Sequence, residues 1–277
     1  MYSSLIIVTK NRPGVLEKLL LNLGSLNTFF DEILIIDSSE ESLILKIDGD
    51  LMNKLRVKKI NKHASISIAR NIGLSQVSSR TDLVYFLDDD VQLHEDFLVN
   101  SYMHFQNNAD SIGVTGQDLN LTKKFTKNTF IVKIMFLLFP YFQGKVLRTG
   151  QHIGHYNKSF LKKIDWMPGC CMIYKYSYIK NLKFDQELDG FSGAEDLVFS
   201  QMVSKFGKLY YDPNIKYWHN LSPINRWSKK QMMQLNFNHL KTLRLKNQYS
   251  SYTRFIISIR ILHVRFRLFI YRLLNIK

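Results

Sequence analysis

Cysteine is nearly absent: Cys170 and Cys171 are the only two, and they are neighbours. Adjacent residues rarely meet disulfide geometry, so reduced thiols in a cytosolic setting are expected, without a disulfide framework. Proline is scarce, at five residues, and no low-complexity linker or internal repeat interrupts the chain. At the amino terminus, Met1-Tyr2-Ser3-Ser4 leads straight into Leu5-Ile6-Ile7-Val8. A basic region, long apolar core and small-residue cleavage site do not follow one another there, so no secretory signal is expected. The very apolar stretch at residues 130–142 is broken by Lys133 and Pro140 and is too short to span a bilayer. Acidic residues are missing altogether beyond Asp212, where thirteen Lys and Arg remain.

What is present fits a folded protein. The 277 residues are 45% hydrophobic and 13% aromatic, enough for one large domain or two small ones and far from the composition of a disordered chain. The net charge of +15 belongs to the end of the chain, because residues 1–212 carry only about +2 by the same count. A basic tail on a nearly neutral body points to an anionic partner, either a membrane surface or nucleic acid.

Over the first 118 residues, strand-like and helix-like patterns alternate. Residues 5–8, 32–36, 56–60, 83–87 and 112–115 read as strands, and residues 13–26, 65–77 and 95–106 as helices. Leu16, Leu19, Leu20 and Leu23 share one face of the first helix, and Pro13 sits near its start, where proline is tolerated. The alternation predicts an α/β fold with a mostly parallel central sheet flanked by helices. Such sheets bind ligands outside the carboxyl ends of their strands, where Thr9, Asp37 and Asp88 are expected to converge. The second half is less regular, with a strand at 172–174, a helix at 194–206, and short strands at 208–211 and 216–218.

Several residue types in this frame can carry chemistry. Asp88-Asp89-Asp90 follows the apolar run Leu83-Val84-Tyr85-Phe86-Leu87. Carboxylates held that closely repel unless a cation or hydrogen-bond donors offset them, and hard oxygen ligands suit magnesium or manganese. The plain alternative is a solvated acidic turn. The loop Thr9-Lys10-Asn11-Arg12-Pro13 brings hydroxyl, amide and guanidinium groups to a strand-to-helix turn, without the spacing of a phosphate-binding glycine loop. Asp37, after Ile33-Leu34-Ile35-Ile36, can accept hydrogen bonds from a ribose or base, or serve as a turn aspartate. Arg70 lies in a helix lined by Ile66, Ile68, Ile72 and Leu74, where it either pairs structurally or faces the acidic tip.

Glu195-Asp196 opens a helix after Phe191-Ser192-Gly193-Ala194. Acids in a first turn complement the helix dipole, and the same position favours the ionised carboxylate a general base needs. His219 follows Tyr217-Trp218 as a structural residue or a ligand, and His152 and His155 flank Gly154 without diagnostic spacing.

In order, Val8-Thr9-Lys10-Asn11-Arg12-Pro13, Ile36-Asp37-Ser38, Ala69-Arg70-Asn71-Ile72-Gly73 and Phe86-Leu87-Asp88-Asp89-Asp90 form one series. It continues through Pro168-Gly169-Cys170-Cys171-Met172, Phe184-Asp185, Gly193-Ala194-Glu195-Asp196 and Tyr217-Trp218-His219. This series resembles the family 2 glycosyltransferases of bacterial surface-polysaccharide pathways, over residues 4–225.

The resemblance implies a GT-A fold, a nucleotide-sugar donor (UDP-sugar as first expectation), a divalent Mn or Mg cofactor and an inverting transfer to a glycan or lipid-linked glycan. Thr9, Arg12, Asp37, Arg70, Asp88 and Asp89 would hold the donor, and Asp90 and His219 would ligate the metal. Asp196 would be the base, with Gly169, Cys170 and Glu195 at the acceptor. Residues 1–118 would then form the nucleotide-sugar-binding half and residues 119–228 the acceptor-binding and catalytic half of the same domain. Two positions depart from the family pattern: Cys170-Cys171, often small or asparagine residues in relatives, and Leu197-Val198, where many relatives have another acid.

Residues 229–277 remain as a basic, hydrophobic, helical segment. Within it, Arg254, Arg260, Arg265, Arg267 and Arg272 interrupt Phe255, Ile256, Ile257, Leu262, Phe266, Leu268 and Phe269 too often for a spanning helix. A segment lying in the interface of an anionic membrane fits this composition, placing the protein peripherally at the cytoplasmic face of the cell membrane. A helix packed on the catalytic part is the alternative, and the aliphatic content argues against nucleic acid. Two other readings of the whole chain are a sugar nucleotidyltransferase, whose glycine-rich basic first loop is not reproduced here, and a catalytically silent membrane-associated partner of the same fold.

Overall fold

Strand β1 (Ser3–Thr9) is buried at six of its seven positions, the pattern of a strand covered on both faces. This computed structural model describes residues 1–44, 48–124, 143–146, 154, 159–186 and 195–221, and in the tail residues 255, 258, 261, 262, 265, 266 and 269. The stretch at 130–142, His152, His155, residues 191–194 and most of the arginines of the tail lie outside the described residues.

After β1 come α1 (Pro13–Ser25), β2 (Glu32–Asp37), α2 (Gly49–Leu55), β3 (Val57–Asn61), α3 (Ile66–Gln76) and β4 (Leu83–Asp88). Then follow β5 (Val91–Leu93), α4 (Phe97–Asn107), β6 (Ser111–Asp118), α5 (Leu119–Lys124), β7 (Lys162–Ile164) and β8 (Cys171–Lys175). The series ends with α6 (Tyr176–Ile179), α7 (Glu195–Val203) and β9 (Lys208–His219).

All nine described strands join one sheet in the order β3-β2-β1-β4-β8-β6-β9-β5, with β7 paired to β9. The first four strands are parallel, as the alternation predicts. Strand β8, from the second half, runs antiparallel between β4 and β6. Strand β9 is parallel to β6 and antiparallel to β5 and β7. The parallel character therefore resides in the amino-terminal half, and the remainder is mixed.

Alternation along each strand divides the core between the two faces of the sheet. Leu5 and Ile7 pack with Leu16, Leu19, Leu20 and Leu23 of α1 and with Phe97, Leu98 and Phe105 of α4. On the other face Ile6 joins Leu74 of α3, Phe199 and Val203 of α7, and Phe184. Both cysteines are free and buried in this core.

Residues 208–219 form one strand where two short ones are expected. The register against β6 jumps from Thr115↔Tyr211 to Gln117↔Lys216, so the intervening segment, with Pro213, bulges instead of breaking the strand. A bulge tolerates the proline that a regular central ladder would not. It also brings the Ile215 carbonyl so near Gly116 that a Cβ there would lie 2.1 Å from the oxygen. Only glycine fits.

Candidate active site

Register fixes the rim of the sheet. Thr9 is paired with Asp37 and Val8 with Asp88, so the ends of β1, β2 and β4 stand side by side. Asn11, with a left-handed φ of 55°, turns the chain between β1 and α1. Its amide nitrogen donates to Ser39 Oγ at 2.6 Å and its side chain accepts from the Glu40 N–H at 2.9 Å, locking the first loop to the loop after β2. Held in this way, Arg12 reaches the acids.

The three aspartates have different partners. Asp89 is almost fully buried, with Thr9 Oγ1 donating to it at 2.7 Å and Arg12 at 3.1 Å. Burial pushes its carboxyl up to about 6, against the opposing pull of Thr9 and Arg12 and with added repulsion from Asp88 and Asp90. Asp90 faces His219, whose Nε2 lies 3.0 Å from Oδ1, with Arg12 3.9 Å away on the other side. Asp88 meets Arg70 at 3.2 Å. His219 arrives by register, since Val91 pairs with His219 across β5 and β9, and the Asp118 carboxylate accepts its backbone N–H at 3.1 Å.

Ligand atoms of Asp88, Asp90 and His219 all lie within 4.8 Å of one another. Two carboxylates and one imidazole form a mixed oxygen and nitrogen set. It fits manganese better than magnesium, which keeps oxygen ligands and water. Burial would depress the imidazole, but the Cys170 sulfur, the Asp90 hydrogen bond and the Asp88 charge outweigh it and push His219 up to about 11.

Asp37 is buried and held by Lys59 at 3.1 Å, with the Ser39 N–H donating at 3.0 Å. Lys59 is a site residue the sequence reading missed. Its signal lies in β3, where Val57 and Lys59 share the partly buried face and Lys58 is exposed. A lysine on the covered face of a strand needs a partner.

Arg70 is expected at the nucleotide; the structure turns it inward. Only 2% exposed, it donates to Glu195 at 2.8 Å, to the Gly169 carbonyl at 3.0 Å and to Asp88, with its guanidinium carbon 5.5 Å from the Phe184 ring centre. Phe184 is clasped in turn by Asn71, whose side chain pairs with both its carbonyl and its N–H, at 2.9 and 2.7 Å. Glu195, expected at the acceptor, is buried with Arg70 as its side-chain partner.

Asp196 Oδ2 accepts the Gly169 N–H at 2.7 Å and Oδ1 the N–H of Leu197 at 2.7 Å. Gly169 is wedged between the two: a Cβ there would meet Arg70 at 2.9 Å and Asp196 at 3.3 Å. Cys170 completes this edge, its sulfur 3.6 Å from the Tyr217 hydroxyl and its carbonyl accepting the Asp88 N–H at 3.3 Å. Arg70 thus ties a rim acid, the glycine loop and the start of α7 into one body. Beside the acids a cavity of about 660 Å³ opens, bounded by Val15, Lys18, Asn22, Gln92 and Asn220 together with Asp89 and Asp90. Asp88, Asp90 and His219 could hold a metal ion; with the cationic groups around them and a carboxylate beyond Arg70, the arrangement has the chemistry to bind a diphosphate and deprotonate a hydroxyl.

Residues 4–180 match the sequence model of Glycosyl transferase family 2. No curated protein matches the chain by sequence. Among solved structures the chain is similar to S. aureus TarS, with 16% identity, a TM-score of 0.59, and coverage of 96% of this chain and 44% of that one. It therefore spans less than half the length of that protein. It is also similar to the mannosyltransferase PcManGT from Pyrobaculum calidifontis in complex with GDP-Man and Mn2+, at 13% identity and a TM-score of 0.60, over 94% and 68% of the two chains. A third, S. aureus TarS 1-349 in complex with UDP-GlcNAc, has 15% identity and a TM-score of 0.57, over 96% and 73%. These similarities show the fold, which is GT-A.

Proposed function

We propose that this chain, which belongs to Glycosyl transferase family 2, inverts a sugar as it moves it from a nucleotide-diphosphate donor to a hydroxyl of a glycan or lipid-linked glycan. The observation that carries this reading is the pairing of two features on one rim. One is the cluster of Asp88, Asp90 and His219; the other is the Asp196 carboxylate, joined to it through Gly169 and Arg70. The donor is taken to be a UDP-sugar. Bound nucleotides in the neighbours, GDP-Man in one and UDP-GlcNAc in another, support a nucleotide-sugar donor without fixing the base.

Asp37 and Thr9 would hold the nucleoside, and Arg12 would offer positive charge to the diphosphate. Asp90 and His219, with Asp88 beside them, would hold a divalent ion, and Mn2+ in the Pyrobaculum neighbour supports that element. When bound, such an ion offsets the charge that grows on the departing diphosphate. Asp196 takes the proton from the acceptor hydroxyl as its oxygen forms a bond to the anomeric carbon and the bond to the diphosphate oxygen breaks. That single displacement leaves the configuration inverted. The acceptor is presented in surface-polysaccharide synthesis at the cytoplasmic face of the cell membrane.

Asp196→Asn tests the role of the base directly. The variant should bind nucleotide sugar with manganese as tightly as the parent, by calorimetry, while turnover falls by about a thousandfold or more, within the range general bases supply. Turnover at the parent rate would remove Asp196 as the base.

A further inference from the structure

The described residues of the tail are helical, and four of them are large, apolar and open to solvent: Phe255, Leu262, Phe266 and Phe269, at 62%, 63%, 63% and 55% exposure. Their spacings of seven, four and three residues confine them to an arc of about 60° on a helix of 3.6 residues per turn. Ile261, next to Leu262, is buried at 9% exposure, so the helix has a packed side and this stripe is not on it. Scattered apolar residues on a surface need no explanation; a stripe of four, three of them phenylalanine, does.

We propose that this stripe docks on an anionic lipid bilayer, with the helix lying in the membrane plane. Charge selects the occupant. The same stretch of sequence carries Arg254, Arg260, Arg265, Arg267 and Arg272, Arg265 being exposed among the described residues, and no acid anywhere beyond Asp212. A second copy of the chain would bring five arginines against five. Nucleic acid would neutralise them, but Leu262 offers no stacking face, and the surrounding sequence is aliphatic, with Ile256, Ile257, Ile259, Leu268 and Ile270.

An anionic bilayer satisfies both features at once. Phenylalanine and leucine enter the acyl boundary, and arginines reach the phosphates around them. Among the described residues no helix is long and apolar enough to cross a membrane. The proposal deepens the functional reading in one respect, and there it rests on that reading: the docked face is the surface from which a lipid-linked acceptor would be taken.

The test compares the full chain with its Phe255→Ser, Leu262→Ser, Phe266→Ser triple variant. Binding is measured by co-sedimentation with vesicles of phosphatidylcholine alone and of phosphatidylcholine mixed with phosphatidylglycerol. The parent should bind the mixed vesicles at least roughly tenfold more tightly than the neutral ones, and the triple variant should lose at least roughly tenfold on the mixed vesicles. Thermal melting of the triple variant should match the parent. Equal binding to both vesicle types, no binding by the parent, or unchanged binding by the variant would overturn the proposal. So would a lowered melting temperature in the variant, which would put the stripe inside the fold, or a parent dimer that the variant dissolves. Vesicle binding needs no turnover, so an inactive enzyme that still binds anionic vesicles would refute the catalytic reading and leave the docking surface standing.

Discussion

At the scale of single residues, Arg70 and Glu195 form a buried pair, 2.8 Å apart, that joins distant parts of the chain. In the sequence, Arg70 sits among Ile66, Ile68, Ile72 and Leu74, and nothing nearby says which way it points. Its partners Gly169 and Glu195 lie 99 and 125 positions further along the chain, beyond the reach of any local pattern. By contrast Thr9, Asp37 and Asp88 were legible, because each ends an apolar run and the ends of parallel strands gather at one rim. The buried pair has a pH signature. Burial first, then the Asp196 charge, raises Glu195 from 4.5 to about 8, although Arg70 pulls the other way. A carboxyl raised on folding binds its proton more tightly in the native state. Its stabilising contribution is therefore complete below about pH 4.5 and is lost as pH climbs through about 8. Glu195→Gln keeps an acceptor for Arg70 but cannot ionise. Its melting temperature relative to the parent should rise steadily between those two limits, and thermal scans in a series of buffers would check this. A difference that stays flat would mean that Glu195 is ionised throughout.

Among the elements, the long periodic ones were readable, and so were the five-residue strands β3 and β8, but the shortest strands were not. Helices α1 and α3 and strands β1, β2 and β4 follow their apolar spacing to within a residue or two. Strands β5 and β7 have three residues each, too few for alternation to register, and exist because of what they pair with. Strand β5 is held on its open side by a side chain acting as a strand: Asn22 of α1 donates to the Leu93 carbonyl at 3.2 Å and accepts the Leu93 N–H at 2.8 Å. Asn22→Ala leaves both groups of Leu93 without these partners and should cost about 2 kcal/mol in urea unfolding. Because β5 carries the register that brings His219 to Asp90, the same variant should also bind manganese more weakly in calorimetry.

At the scale of the whole molecule, alternation of strands and helices foretold a layered α/β protein but not the route of its second half. An antiparallel strand inserted between two others leaves no periodic trace, since β8 resembles any buried strand. Its position makes residues 1–118 incomplete by themselves. Cut after Asp118, the chain would leave one edge of β4 and both edges of β6 without their partners β8 and β9. A fragment of residues 1–118 should therefore lack a cooperative melting transition and should aggregate on light scattering. A sharp transition in that fragment would mean that the amino-terminal half closes its own core.

That insertion also bears on how the chain is made. The central gap of the sheet stays open until residues 171–175 have left the ribosome, well after the strands on either side of it. At about 5–20 residues per second, synthesis leaves those hydrophobic borders unguarded on the order of several seconds. A nascent chain in that state is a natural client for chaperones, and slowing translation between codons 119 and 170 should lower the soluble yield.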